Sequence, residues 1–208
     1  MHGRVAVIMS VYNKDSLAFL KTAIGSILEQ TYKEFDIFIY FDGVKRCDLW
    51  EFINVINSKH DNIFFYYESE NKGLAYALNY LLEKVKLVGG YQYIARMDAD
   101  DISDCNRLLE QILYFEEHSD IFILGSNCIE INQVGENIFY KKMPEFNNEI
   151  NSFIFKRSPL VHPAVMFRYE MVEHICYNPL LKQSQDYFLW VDLLAKGYKI
   201  GNVQKYKI

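Results

Sequence analysis

Val5-Ala6-Val7-Ile8-Met9-Ser10-Val11 is an almost unbroken apolar run close to the start of the chain. A strand with one face in water alternates apolar and polar residues. A run without alternation belongs to a central strand of a parallel sheet, where helices cover both faces. The stretch that follows, Ser16–Gln30, places Leu17, Leu20, Ile24, Ile27 and Leu28 at the spacing of one helix face. The same alternation then recurs: strand Phe35–Phe41, helix Leu49–Ile56, strand Ile63–Tyr67, helix Leu74–Val88, strand Tyr91–Met97, helix Arg107–Glu117 and strand Ile121–Ile131. Repeats of this kind imply right-handed crossovers between parallel strands. The predicted fold is α/β, with a mostly parallel central sheet flanked by helices.

After residue 131 the pattern changes. Ile138–Lys142 reads as a short strand, and Asn147–Phe155 as a helix capped by Asn147 or Asn148. Ser158–Arg168 is a loop running into a strand, Asp186–Lys196 an amphipathic helix stopped by Gly197, and Lys199–Val203 a last strand. This part is too small to build its own core, so residues 132–208 complete the same single domain as residues 1–131.

The composition narrows the function. The 208 residues are 50% hydrophobic and 16% aromatic, ample material for a packed core. The formal net charge is −5 and no Lys/Arg stripe suits a nucleic-acid backbone, so no nucleic-acid partner is expected. An acidic protein that holds a polyanion needs a local device such as a metal ion. Cys47, Cys105, Cys128 and Cys176 are scattered without metal-ligand spacing and read as reduced thiols of a cytosolic protein. The Val5–Tyr12 run lacks a basic leader and is too short to span a bilayer.

Ligands of open parallel sheets bind at the carboxyl ends of the strands. Four places qualify: Ser10–Asn13, Asp42, Asn71–Gly73 and Asp98–Asp101. Asp98, Asp100 and Asp101 crowd like charges that a cation would relieve, and hard oxygen donors suit Mg²⁺ or Mn²⁺. The same acids also read as a solvated turn that caps a helix near Ser103. A carboxylate at Asp42 can accept the N3–H of uracil, or simply form an Asp-Gly turn. Asn71 and Gly73 open a helix whose amino end favours a diphosphate, or only cap it.

Taken in order, Ser10-Val11-Tyr12-Asn13, Ser26-Ile27-Leu28-Glu29-Gln30-Thr31-Tyr32, Asp42-Gly43, Asn71-Lys72-Gly73-Leu74, Arg96-Met97-Asp98-Ala99-Asp100-Asp101 and Gln185-Asp186-Tyr187 resemble the family 2 glycosyltransferases of GT-A fold. The resemblance covers nearly the whole chain and is nearest to the bacterial branch that builds O-antigen and capsular polysaccharide. It implies a metal-dependent, inverting hexosyltransferase with a UDP-sugar donor. Val11 and Tyr12 would line the base pocket and Asp42 would hold uracil. Asp98 would contact ribose or donor sugar, and Arg96 would orient the cluster. Asp100, the last acid of the D-x-D signature, would bind Mn²⁺ or Mg²⁺, assisted by Asp101. Asp186 would be the general base, although the pair here is Gln185-Asp186 where the family often has two acids. Asp186 also reads as a helix cap. His162, in Val161-His162-Pro163-Ala164, would touch diphosphate, metal or acceptor, or be a structural histidine beside a turn.

The resemblance also implies a lipid-linked saccharide acceptor such as GlcNAc-diphospho-undecaprenol. It places the protein peripherally at the cytoplasmic face of a bacterial membrane, with a homodimer allowed. Relatives of this type continue for some tens of residues, so the chain is expected to run on beyond Ile208. Three rivals stand beside this reading. A sugar-1-phosphate nucleotidyltransferase would need a Gly-rich basic loop where Tyr12-Asn13-Lys14 stands. A non-catalytic nucleotide-sugar-binding domain has no need to keep Asp42, Asp98, Asp100 and Asp186 together. A receiver-type signalling domain leaves no place for the region after residue 131.

Overall fold

The structure is a computed structural model that describes residues 3–208. The elements are β1 (Val5–Tyr12), α1 (Leu17–Leu28), β2 (Phe35–Asp42), α2 (Cys47–Asn57), β3 (Ile63–Glu68), α3 (Leu74–Val88), β4 (Tyr93–Asp98), α4 (Arg107–Glu117), β5 (Ile121–Ile131) and β6 (Asn137–Lys141). They continue with α5 (Asn147–Phe153), a 3₁₀ turn at His162–Ala164, β7 (Met166–Arg168), a second 3₁₀ turn at Tyr169–Met171, α6 (Gln185–Ala195) and β8 (Lys199–Tyr206).

The strands form one sheet in the order β3-β2-β1-β4-β7-β5-β6, with β8 paired to β5. β3, β2, β1 and β4 are mutually parallel, so their carboxyl ends share one rim. The register sets Tyr12 beside Asp42, Asp42 beside Glu68 and Ser10 beside Asp98. Three residues of β7 wedge antiparallel between β4 and β5, a placement that no local pattern announces. β8 returns parallel to β5.

β1 is buried on both faces, as its unbroken apolar run predicts, and its residues feed two separate cores. Val5, Val7, Met9 and Val11 join α1, α2 and α4 on one face. Ala6 and Ile8 join α3, α5 and α6 on the other. Burying a side chain of this size stabilises the fold by about 1.5–3 kcal/mol. The two layers therefore clamp the rim residues at the ends of β1, β2 and β4 between rigid walls.

Two local expectations are corrected. α5 is not capped by Asn147 or Asn148: its preceding residue is Phe146, and Glu149 reaches back to accept the Glu145 and Phe146 N–H groups at 3.0 and 3.4 Å. Asn147 instead accepts the Ile200 N–H at 2.9 Å, tying α5 to β8. The fourth strand begins at Tyr93 rather than Tyr91, where its pairing with Val5 of β1 starts; the Tyr91 hydroxyl bonds Asp36 instead. Among the described residues no helix is long and apolar enough to cross a membrane.

Candidate functional site

The rim of the parallel strands encloses a cavity of about 390 Å³ lined by Ser10, Tyr12, Asp15, Asp42, Asn71, Gly73, Leu74, Asp98, Ala99 and Asp100. That size is within the range of small-molecule sites. All four places marked from sequence, far apart along the chain, meet there, the first through Ser10 and Tyr12. Along the end of β1 the side chains alternate. Ser10 and Tyr12 face the cavity, while Val11 is fully buried in the α1-side core. The expectation that the Val11 side chain lines a base pocket is corrected by that alternation.

Asp42 ends β2, is 2% exposed, and accepts the backbone N–H groups of Lys72 at 2.7 Å and Gly73 at 2.8 Å. The Asn71 side chain donates back to the Asp42 carbonyl at 3.1 Å. Asp42 therefore ties down the turn that leads into α3, and these two N–H groups, which precede the helix, are not free for a diphosphate. A carboxylate offers about four lone-pair sites, so Asp42 keeps acceptor capacity toward the cavity it lines. Gly43 has φ +68°, and a Cβ there would sit 2.5 Å from the Asn71 nitrogen. Gly73 has φ +90° at the first residue before the helix. Both turns need glycine.

The acidic cluster follows β4. Carboxylate oxygens of Asp98, Asp100 and Asp101 lie within 4.8 Å of one another. Asp100 is exposed, and the other two are half-buried. Burial, then the charges of Asp98 and Asp100, push the Asp101 carboxyl up to about 7. Asp15 bonds the Tyr12 N–H at 2.9 Å, and burial, with Asp100 and Asp98 adding, pushes it up to about 6. Such crowding of hard oxygen donors fits a divalent cation, which would remove the like-charge cost. Asp98, Asp100 and Asp101 are the residues placed to hold it.

Beneath the cluster lie two buried arginines. Arg96 is fully buried and forms an ion pair with Asp98, while its Nε and Nη1 find no partner among the described residues. It supports Asp98 from below and does not line the cavity. Arg107 is also fully buried; it donates to the Arg96 carbonyl at 2.8 Å and the Val165 carbonyl at 3.3 Å. Burial lowers its pKa to about 9, with Asp101 opposing.

Asp186, the second residue of α6, does not line the cavity. Its charge, like that of Asp98, acts on the Tyr177 hydroxyl. Burial raises the Tyr177 hydroxyl's pKa, opposed by Arg96 and reinforced by Asp186 and Asp98. That hydroxyl lies 2.9 Å from His162 Nε2. Burial, then the charge of Arg96, hold His162 well below the ordinary histidine range, so it is neutral at pH 7. The His162 ring packs edge-on to fully buried Trp190 at 5.9 Å. Ser184, just before α6, is the single non-glycine residue with positive φ (57°) among the described residues. Asp186 makes no capping bond there.

A second, more apolar cavity of about 490 Å³ opens on the far side of Asp100 and Asp101, walled by Phe19, Ile102, Ile129 and Pro163 among others. Asp100 therefore stands between two cavities. Sequence reading missed Asp15, Arg107 and Tyr177. Asp15 follows the same rule of an acid just beyond a strand end. Arg107 is a charge on the apolar face of α4. Tyr177 carries no local signal.

The model of the family described as "Glycosyl transferase family 2" matches residues 6–176. An uncharacterized glycosyltransferase of Methanocaldococcus jannaschii is 33% identical over 97% of this chain and 68% of its own length. The O-antigen biosynthesis glycosyltransferase WbnJ of Escherichia coli is 33% identical over 91% of this chain and 71% of its own. A UDP-Gal:alpha-D-GlcNAc-diphosphoundecaprenol beta-1,3-galactosyltransferase of Escherichia coli is 31% identical over 97% and 72%. Among solved structures, S. aureus TarS 1-349 in complex with UDP-GlcNAc superposes with a TM-score of 0.73 at 19% identity, covering 98% of this chain and 57% of TarS. A mannosyltransferase of Pyrobaculum calidifontis in complex with GDP-Man and Mn²⁺ gives 0.72 at 14%, covering 99% and 56%. The chain thus spans somewhat over half of those structures' length, and they share its GT-A fold.

Proposed function

The chain belongs to glycosyl transferase family 2, and from that premise we propose that it transfers a hexose, glucose or galactose, from a UDP-sugar to a sugar hydroxyl of a lipid-linked acceptor. GlcNAc-diphospho-undecaprenol is the proposed type of acceptor, and bacterial surface polysaccharide the proposed product. The observation that carries this reading is the convergence of Asp42 from β2, Asp98 from the end of β4 and Asp100 from the loop after it on one ligand-sized cavity. Relatives named for O-antigen synthesis and for a diphosphoundecaprenol acceptor support the substrate class.

Each residue then has a task. Asp42 receives the imide N–H of uracil, which cytosine lacks. Tyr12 lies beside the base, and Asp98, braced by Arg96, meets ribose or donor sugar. Asp100 holds Mn²⁺ or Mg²⁺ with Asp98 or Asp101, and such an ion supplies counter-charge to the departing diphosphate. Asp186 removes the proton of the acceptor hydroxyl. The acceptor oxygen bonds to the anomeric carbon from the face opposite UDP, the bond to the diphosphate oxygen breaks, and UDP leaves with that electron pair. A single displacement of this kind inverts the anomeric centre, giving a β-linkage from an α-linked donor. No enzyme nucleophile is needed.

The acceptor's lipid calls for peripheral attachment at the cytoplasmic face of the membrane. The test is a panel of nucleotide sugars read by thermal shift with and without Mn²⁺, because a ligand that binds the folded state more tightly stabilises it more, with the logarithm of its affinity. UDP-sugars are expected to stabilise only with the ion, followed by transfer to a synthetic prenyl-diphosphate saccharide. Pyrophosphate release from UTP and a sugar phosphate would instead establish the nucleotidyltransferase.

A further inference from the structure

We infer that Ser26 and Gln30, at the carboxyl end of α1, are positioning residues for the cation-binding loop, gripping residues 103–108 and thereby setting where Asp100 and Asp101 stand. The inference rests on the reading of the acid cluster as a divalent-cation site. Ser26–Tyr32 is a segment of the sequence pattern to which the proposed chemistry gives no role.

Gln30 is fully buried, and its amide is spent on the loop. Its Nε2 donates to the Asp104 carbonyl at 2.6 Å, to Ser103 Oγ at 3.2 Å and to the Ser26 carbonyl at 3.3 Å. Its Oε1 accepts the Leu108 N–H at 3.0 Å. Leu108 lies in the first turn of α4, where N–H groups have no partner inside the helix. Asn106, the residue before α4, gives no side-chain cap. A side chain from α1 thus caps a helix that begins 77 positions later in the chain.

Ser26 adds the second hold. Its Oγ accepts the Ser103 N–H at 3.0 Å while donating to the Ala23 carbonyl at 2.7 Å. Thr31 completes the seam, with its N–H on the Cys105 carbonyl at 2.7 Å and its hydroxyl on Asn106 Oδ1 at 3.0 Å.

The loop from Ala99 to Asn106 carries the acids and has no regular structure of its own. Its start is fixed by β4, and its end by this seam and by Arg107 on the Arg96 carbonyl. Asp101 is two residues from Ser103, so little slack separates the gripped residue from the acids. Without a cation, the repulsion among Asp98, Asp100 and Asp101 drives the loop apart. The seam opposes that spreading and preorganises the oxygen donors. Supports one step removed from a metal's ligands typically change its affinity by about 10–100-fold.

The test compares wild type, Ser26→Ala, Gln30→Met and Ile27→Val. The last is a core change in the same helix that lowers stability while leaving every hydrogen bond of the seam in place. Two quantities are read: Mn²⁺ affinity by calorimetric titration, and hydrogen–deuterium exchange of residues 99–106 in metal-free protein. The expected result is about 10-fold weaker Mn²⁺ binding and faster loop exchange in Ser26→Ala and Gln30→Met, with Ile27→Val unchanged in both. If Gln30→Met fails to fold, Ser26→Ala decides. Wild-type Mn²⁺ affinity and wild-type loop exchange in a folded Ser26→Ala overturn the inference, as does an equal loss in Ile27→Val. If wild type itself binds no Mn²⁺, the cation reading falls, and the exchange data still decide whether the seam holds the loop.

Discussion

Replacing Asp42 by Asn changes one oxygen to an amide and should expose how much of α3 hangs on this carboxylate. The wild-type group accepts two backbone N–H groups, from Lys72 at 2.7 Å and Gly73 at 2.8 Å, in a site 2% exposed. Asparagine keeps one acceptor and turns an NH₂ toward the other N–H, whichever way the amide is set. One charge-assisted bond, about 1.5–3 kcal/mol, is lost, and the freed N–H belongs to a residue open enough to solvent to be hydrated in its place. The bond that remains is neutral and roughly half as strong. Relief of crowding with Glu68, its neighbour in register on β3, returns part of this, leaving about 3 kcal/mol. For a domain of this size that is a fall of about 6–12 °C in melting temperature. The assay is thermal melting together with urea unfolding, where an unchanged slope confirms that only stability moved. UDP binding should weaken in the same variant. A melting temperature within about 1 °C of wild type would show that Asp42 does not hold the turn leading into α3, and the reasoning about its geometry would be wrong.

Four further outcomes follow. Asp186→Asn should leave UDP-sugar affinity unchanged and slow transfer by about 100-fold or more in steady-state kinetics; a wild-type rate removes Asp186 as the base. Gly43→Ala should cost about 2–4 kcal/mol in urea unfolding, because strain at φ +68° is joined by a Cβ 2.5 Å from the Asn71 nitrogen; a neutral change contradicts the close approach. In EDTA, Asp101→Asn should raise the melting temperature. Its folded-state pKa of about 7 lies above the ordinary 3.8, so ionisation in the folded state costs stability as pH rises from about 4 to 7. The gain should be fullest at pH 8 and fall to about a third at pH 5, and a gain independent of pH would refute the crowding of charges. His162 acts in the opposite sense: its lowered pKa means that stability is lost as pH falls below about 6.5. His162→Gln should therefore flatten the decline of melting temperature on acidification, and an unaltered decline would refute that origin.

Much of the fold can be read from the chain because the central strands announce themselves. Val5–Val11 and Phe35–Phe41 are almost wholly apolar with no regular alternation, Ile121–Ile131 opens on the apolar run Ile121–Leu124, and each is a strand buried along most of its length. The same property hides detail. With no alternation to read, nothing local tells that Val11 enters the core while Tyr12 faces the cavity. β7 is three residues long, and its insertion between β4 and β5 depends on contacts with both. The cluster Asp98–Asp101 and the turn at Asp42 are legible because acids directly after buried apolar strands mark the ligand-binding rim of a parallel sheet, although Asp42 also has the structural task of bonding the Lys72 and Gly73 N–H groups. Asp15 obeys that rule one short loop later. Arg96 and Arg107 are not legible as a buried pair, since their burial depends on layers packed from both sides of the sheet. Tyr177 belongs to a loop whose course is set by Asn79 on α3, which bonds its backbone at 2.7 and 2.9 Å.

The central claim is that the rim acids hold a nucleoside diphosphate through a divalent ion. Its most direct measurement is calorimetric titration of UDP into the protein in three conditions: wild type with Mn²⁺, wild type with EDTA, and Asp100→Ala with Mn²⁺. The account predicts saturable binding in the first and at least about tenfold weaker binding in the other two. Equal affinity in all three, or no binding of UDP to the Mn²⁺-loaded wild type, would contradict it.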